Sequence, residues 1–306
     1  MAGDTDPFRC ALLHRMMKAY EDAAELLYGE SHMIAEPMDS MIAGAIAGVF
    51  ASSGGPGFGA ALDQLTRLGA GFDMSCIFGF SPHMPPAVIH DGYSETTDRK
   101  ALKSYLRGAY LLDPFYAASV SPVREGGMAR EGLWRMRDLA PDAYFEGAFA
   151  WSQEVHPCIS DQAGTLVEEI GFLIPLGSDV TATYSLMRNR GGSAFDEGET
   201  ARLTALQPVI TASLRQHWAL MQHPAPAAVP AGPQSEKVFA AAFQSLTPAQ
   251  QAVTKLILRG HSNLSIAGHI GITEGTVKLH RYNIYRRLGI TGQAELFQRF
   301  IDFLGR

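Results

Sequence analysis

The residues best placed to do chemistry lie near the C-terminal end, in the run EGTVKLHRYNIYRRL at 274–288. Val277, Ile284 and Leu288 recur at helical spacing and mark a buried stripe. The opposite side then carries Lys278, Arg281, Tyr282 and Tyr285 at i, i+3, i+4 and i+7, with Leu279 beside Lys278. Cations interleaved with aromatic rings suit a polyanion rather than a reacting carbon. A helix of this kind fits the ~12 Å major groove of B-DNA. The competing reading is a solvated helix surface, with Tyr282 covering apolar neighbours and Tyr285 packing on the preceding helix. His280 suits helix packing or a phosphate, and His261 suits a loop surface.

No other constellation reaches this level. The loop GGPGFG lacks the Gly-Lys-Ser/Thr ending of a phosphate loop. His156 and Cys158 are near neighbours, but no orienting acid or oxyanion donor accompanies them. Glu168 and Glu169 are adjacent, so on a strand they face opposite sides and cannot share one proton. The three cysteines, Cys10, Cys76 and Cys158, are too sparse for a disulfide framework or a zinc site. The expectation is a protein without metal, cofactor or catalytic residues, kept in a reducing cytoplasm. The acidic N-terminus does not read as a secretory signal. No apolar run approaches the ~18 residues of a membrane span.

The elements that must position the basic helix are written in local chemistry. Thr247, Pro248 and Gln250 form an N-cap, a first-turn proline and a capping box, and Gly260 ends that helix. Ser262 or Asn263 caps a short second helix, and Gly271 permits a left-handed turn. Thr273 caps the basic helix, Gly289 ends it, and residues 292–303 form a fourth. Two short helices joined by a glycine turn are a helix-turn-helix. Charge agrees: nine of the 25 Lys and Arg but only four of the 31 Asp and Glu fall from Ser235 onward. That segment carries +5 and the remainder −11.

A Pro- and Ala-rich stretch, QHPAPAAVPAGPQSE at 222–236, reads as a semi-extended linker. It divides the chain into 1–221 and 237–306. In the larger part, helices are expected over 8–28, 38–50, 60–68, 97–112, from Pro114, over 136–152 and over 196–219, with Pro208 a potential kink. Strands are expected over 73–80 and 86–90, the second ending at Asp91-Gly92. A hairpin is expected from 168–176 and 180–187 across Gly177-Ser178. The fold class is α+β, an antiparallel sheet between helices followed by an all-α helix-turn-helix domain. The long last helix is placed to pair with its copy and to pass strain onward.

Through LTP, GHSN, GIT, EGTVKLH and NIYRRLG, residues 246–304 closely resemble the C-terminal domain of LuxR-type regulators. The resemblance implies a four-helix, cytoplasmic DNA-binding domain that dimerises on an inverted repeat of double-stranded DNA, with RNA polymerase a further partner. By position, Lys278, Leu279 and Tyr282 would face base edges, and Thr276, Arg281, Arg286 and Arg287 would meet phosphates or the rim. Gln250-Gln251 and Leu264-Ser265 depart from the usual pattern. Residues 105–118 and 168–186 resemble the sensory halves of such regulators, which are αβα sandwiches related to GAF and PAS domains. Asp113-Pro114 and Gly171 to Pro175 match the acyl-homoserine lactone receptors. Lys100 and Ser104 stand where those receptors carry Trp and Tyr, which points to a different small-molecule effector. Tyr105, Tyr110, Asp113, Phe115, Tyr116, Trp134, Tyr144, Phe145, Phe149 and Trp151 are the candidate lining. Each aromatic also reads as plain core, and Asp113 also as an N-cap. A large domain that binds a protein partner, making the chain a signalling adaptor, is the alternative; a phosphoacceptor receiver lacks its acids and its lysine.

Overall fold

The computed structural model describes residues 18, 35–93, 99–120, 131–147, 152, 155–156, 166–189, 192–221 and 234–305. The helix expected over 8–28 lies outside them apart from Lys18. So do Phe149, Trp151 and Cys158.

The described chain starts with α1 (Ala35–Ala51) and α2 (Phe58–Thr66), followed by strands β1 (Met74–Phe80) and β2 (Ala87–Gly92). After α3 (Arg99–Arg107) and a 3-10 turn at Ala109–Leu112 come α4 (Pro114–Val120), β3 (Gly132–Arg135) and the single turn α5 (Met136–Leu139). The hairpin β4 (Leu166–Gly177) and β5 (Val180–Asn189) leads into α6 (Glu197–Leu220). The five strands form one antiparallel sheet in the order β2-β1-β5-β4-β3.

Strand parity sorts the core into two layers, since alternate residues face opposite sides of a sheet. Ile77, Ile170, Phe172, Ile174, Ala182, Tyr184 and Leu186 pack against α2 and α6. Met74, Cys76, Phe78, Phe80, Leu173 and Met187 face α3, α4 and the aromatic turn between them. This is the expected αβα sandwich. On the first face Asp63 of α2 accepts from Tyr184 (2.7 Å) and Ser75 (2.6 Å), which ties the helix to the sheet.

Several expectations need correction. Of the helix expected over 136–152, the described residues 136–147 hold only the four-residue α5 and the 3-10 turn Tyr144–Glu146, and the edge strand β3 precedes them. The helix over 97–112 breaks at Gly108. Strand β2 runs through Asp91-Gly92 rather than stopping there. The hairpin turns on Ser178 and Asp179, with φ of 50° and 59°, one residue later than expected. Both central residues of a two-residue hairpin loop adopt positive φ, which Asp tolerates. Pro208 lies inside α6 without ending it.

The C-terminal part holds α7 (Gln234–Ala242), α8 (Pro248–Leu258), α9 (Asn263–Ile270), α10 (Glu274–Leu288) and α11 (Gln293–Leu304). The last three residues of the expected linker are thus helical. Helix α7 was not anticipated; its Phe239, and Phe243 in the turn just after it, stack on Phe300 of α11, with ring centroids 5.0 and 6.1 Å apart. The caps form as the sequence dictates, with a reciprocal Thr247–Gln250 box on α8 and left-handed Gly271 and Gly289 closing α9 and α10.

The two parts share a continuous apolar core. Leu304 of α11 seats beside Gly108, where a Cβ would fall 2.4 Å from its Cδ2. Ala143 donates its N–H to the Gly260 carbonyl at 3.0 Å. A Cβ on Gly260 would lie 2.6 Å from the Tyr144 Cα, and its φ is +87°. Only glycine meets both demands, the left-handed backbone and the close approach. Asp142 accepts from the Ser262 N–H (2.9 Å) and hydroxyl (2.5 Å).

Candidate nucleic-acid interface and sensory cavity

Helix α10 is positioned from both ends and from below. Thr273 Oγ accepts from the Thr276 N–H at 3.1 Å, while Val277, Ile284 and Leu288 are buried as expected. Its outer face then leaves Leu279 59% and Tyr282 60% exposed. Exposing two large side chains side by side gains nothing for the fold, so they suit a partner surface. Lys278 is exposed on the same face and pairs with Glu274, one turn back, at 2.8 Å.

The remaining basic residues divide into two kinds. Arg286 and Arg287 are exposed, with the Arg286 guanidinium 5.4 Å from the Tyr282 ring centre. Arg281 is half-buried and bridges the two helices, donating to Asn263 of α9 and to the Tyr285 hydroxyl, each at 3.0 Å. Thr276 is half-buried and shares a 2.8 Å hydroxyl contact with Thr273. His261 is not a plain loop-surface residue. It packs edge-on to His269 at 4.6 Å, and burial, then His269, pulls its pKa down to about 4.

The cavity lies between the sheet and α4. It measures about 10 Å³ and is lined by side chains including Tyr105, Asp113, Phe115, Cys76, Tyr93, His156, Glu169, Thr183 and Ser185. Of the expected lining, Tyr105, Asp113 and Phe115 are there. Tyr110 and Tyr116 are buried nearby in a T-shaped pair at 4.8 Å, and Trp134 stands half-buried on β3; none of the three lines it. Tyr144 and Phe145 do not line it either, but Tyr144 backs it through a 2.7 Å bond to His156.

Asp113 does two jobs. It caps α4 by accepting from the Phe115 N–H at 2.7 Å, and it accepts from the Tyr105 hydroxyl at 2.7 Å. Burial raises its pKa to about 6 against the pull of those bonds. Glu169 stands higher, at about 8, through burial and then the Asp113 charge. His156 is depressed to about 4 by burial. Burial thus holds both carboxyls toward their protonated forms and the imidazole toward its neutral form. Such a wall offers both acceptors and donors to a small polar group. Glu168 behaves as a different residue altogether, facing the other side with Arg135, Arg137 and the Phe195 N–H.

The parity rule would have revealed Glu169. It shares a strand face with Gly171 and Leu173, opposite Ile170 and Phe172. Gly171 leaves room for Phe115, whose ring would lie 2.8 Å from any Cβ there.

Comparison with known proteins decides the family. The profile described as bacterial regulatory proteins, luxR family, matches residues 244–300. An HTH-type transcriptional regulator in the exeN 3′ region of Aeromonas salmonicida is 33% identical over 151 residues, spanning 47% of this chain and 76% of that protein. The chain belongs to the LuxR family of bacterial regulators. Response regulator protein TodT of Pseudomonas putida is 39% identical over 54 residues, 18% of this chain and 24% of TodT. The solved VqsR ligand-binding domain of Pseudomonas aeruginosa is 20% identical, with a TM-score of 0.48 over 61% of this chain and 99% of that one. Like its relatives, this LuxR-family chain is a transcriptional regulator and not an enzyme. No helix among its described residues is long and apolar enough to cross a membrane.

Proposed function

We propose that this regulator binds an inverted-repeat operator as a homodimer, with α10 in the major groove, and answers to a small molecule held between its sheet and α4. The observation that carries the DNA part is the line of exposed Lys278, Leu279 and Tyr282 on a helix capped and buried on its other sides. Lys278 and Tyr282 offer hydrogen bonds to base edges, and Leu279 suits a thymine methyl. Arg286, Arg287 and Thr276 lie along the flanks, where phosphates run. On this reading residues 1–221 are the sensor, and the reader extends from Gln234 rather than Lys237.

The cavity's polar wall supports the effector part. Its carboxyls, imidazole and hydroxyls sit among Phe78, Phe80 and Phe115, which is the mix that orients a small ligand. Anything larger than a water must push a wall outward. The effector changes DNA affinity only by binding one arrangement better than the other.

Selection from a pool of random duplexes with the full chain tests the DNA reading. The expected product is an inverted repeat with half-sites about one helical turn apart. A pool that stays random after repeated rounds overturns it.

A further inference from the structure

At the start of α9, sensor and reader touch through a charged side chain. Ser262 donates both its N–H and its hydroxyl to Asp142, while its Oγ still accepts from the Ser265 N–H at 3.1 Å. A helix N-terminus is a seat for anions, because its free N–H groups and its dipole both favour negative charge. Helix α9 is also the first helix of the helix-turn-helix, the one that crosses the DNA backbone. Its first residue, Asn263, is held by Arg281 of the recognition helix. A DNA phosphate would therefore have its seat where the Asp142 carboxylate now sits.

Asp142 is joined to the cavity by a short path. The next residue, Ala143, is bonded to Gly260. Tyr144 follows, buried against Gly260, and its hydroxyl meets His156 on the cavity wall. The strand walls are held in the ladders of the sheet. His156 and Val155 come from outside the sheet and donate their N–H groups to the Ser152 carbonyl, and the His156 ring also lies 3.7 Å from Glu169 of β4.

We propose that Asp142 is a built-in stand-in for a DNA phosphate: seated on Ser262, it holds the reader against the sensor, and an effector that displaces His156 and Tyr144 withdraws it. The inference rests on the DNA reading above and names the regulation of that interface. Because phosphate contacts are blind to sequence, the contact weakens binding to any duplex.

The test is the affinity of the full chain, by fluorescence anisotropy, for the selected operator and for an unrelated duplex of the same length. Asp142→Ala should bind both about tenfold more tightly, the size of one charge-assisted hydrogen bond. Asp142→Asn should fall between it and the wild type. Ser262 keeps its bond to Ser265, so α9 stays capped. In a second variant, Asp142→Cys with Ser262→Cys, oxidation should lock the contact and abolish DNA binding, and a reductant should restore it. Unchanged or weaker affinity in Asp142→Ala overturns the proposal, as does a locked chain that still binds. Wild-type binding to the operator with unaltered Asp142 variants sinks this inference alone. Failure of every variant to bind either duplex sinks the DNA reading with it.

Discussion

At the scale of the residue, exposure and pairing separate the side chains that specify from those that position. Lys278 is free of the core and reaches outward, so Lys278→Ala should cost about 1–3 kcal/mol on the selected operator and relax discrimination at one base pair. Equal affinity for operator and variant sites in both proteins would remove it from base readout. Arg286→Ala should instead weaken all duplexes alike and reduce the salt slope by about one unit, measured by anisotropy across salt concentrations. Arg281 differs from both. Its bonds to Asn263 and Tyr285 make it a strut between α9 and α10. In the cavity, Glu169 has its pKa raised to about 8, so it binds a proton more tightly folded than unfolded. Its contribution to stability is full below its unfolded value and is lost as pH rises through about 8. Glu169→Gln should then melt about 5 °C above the wild type at pH 9 and close to it at pH 5, read by thermal denaturation. His156 runs the other way. Depressed to about 4, it contributes stability above 6.5 that is lost as pH falls toward 4.

At the scale of the element, what could be read from the sequence was what is encoded within a few residues. Helices α8, α9 and α10 were legible almost to the residue, because each of these three is capped by a Thr or Ser and followed by a glycine in the left-handed region. Thr247→Ala should cost about 1 kcal/mol of stability in urea denaturation, since it removes one side of the capping box. The hairpin was legible from its turn and its apolar run. The stretch 136–147 was not, because Tyr144 takes its place from tertiary packing, buried against His156 and Gly260 rather than along a helix face. Strand β3 is four residues at a sheet edge, too short for alternation to show. The cavity was half legible. Tyr105, Asp113 and Phe115 come from one segment, whereas Cys76, Glu169, Thr183 and Ser185 come from three strands that only the sheet register brings together.

At the scale of the whole molecule, the sheet-bearing part and the C-terminal helices share one apolar core, with Leu279 and Tyr282 of α10 facing outward and the Asp142 carboxylate set at the N-terminus of α9. Tyr144 against Gly260 lies beside the Asp142 pair, and Leu304 against Gly108 is a second apolar contact between the same two parts. Loosening one should loosen the others, as neighbouring contacts are not independent. The central claim is that α10 reads DNA, and occupancy mapping in the organism's own cells tests it most directly. Wild-type protein should give discrete peaks over a shared inverted repeat, and a Lys278→Ala, Tyr282→Ala double variant at equal abundance should lose them. Peaks retained by the double variant, at the same sites and heights, would contradict it.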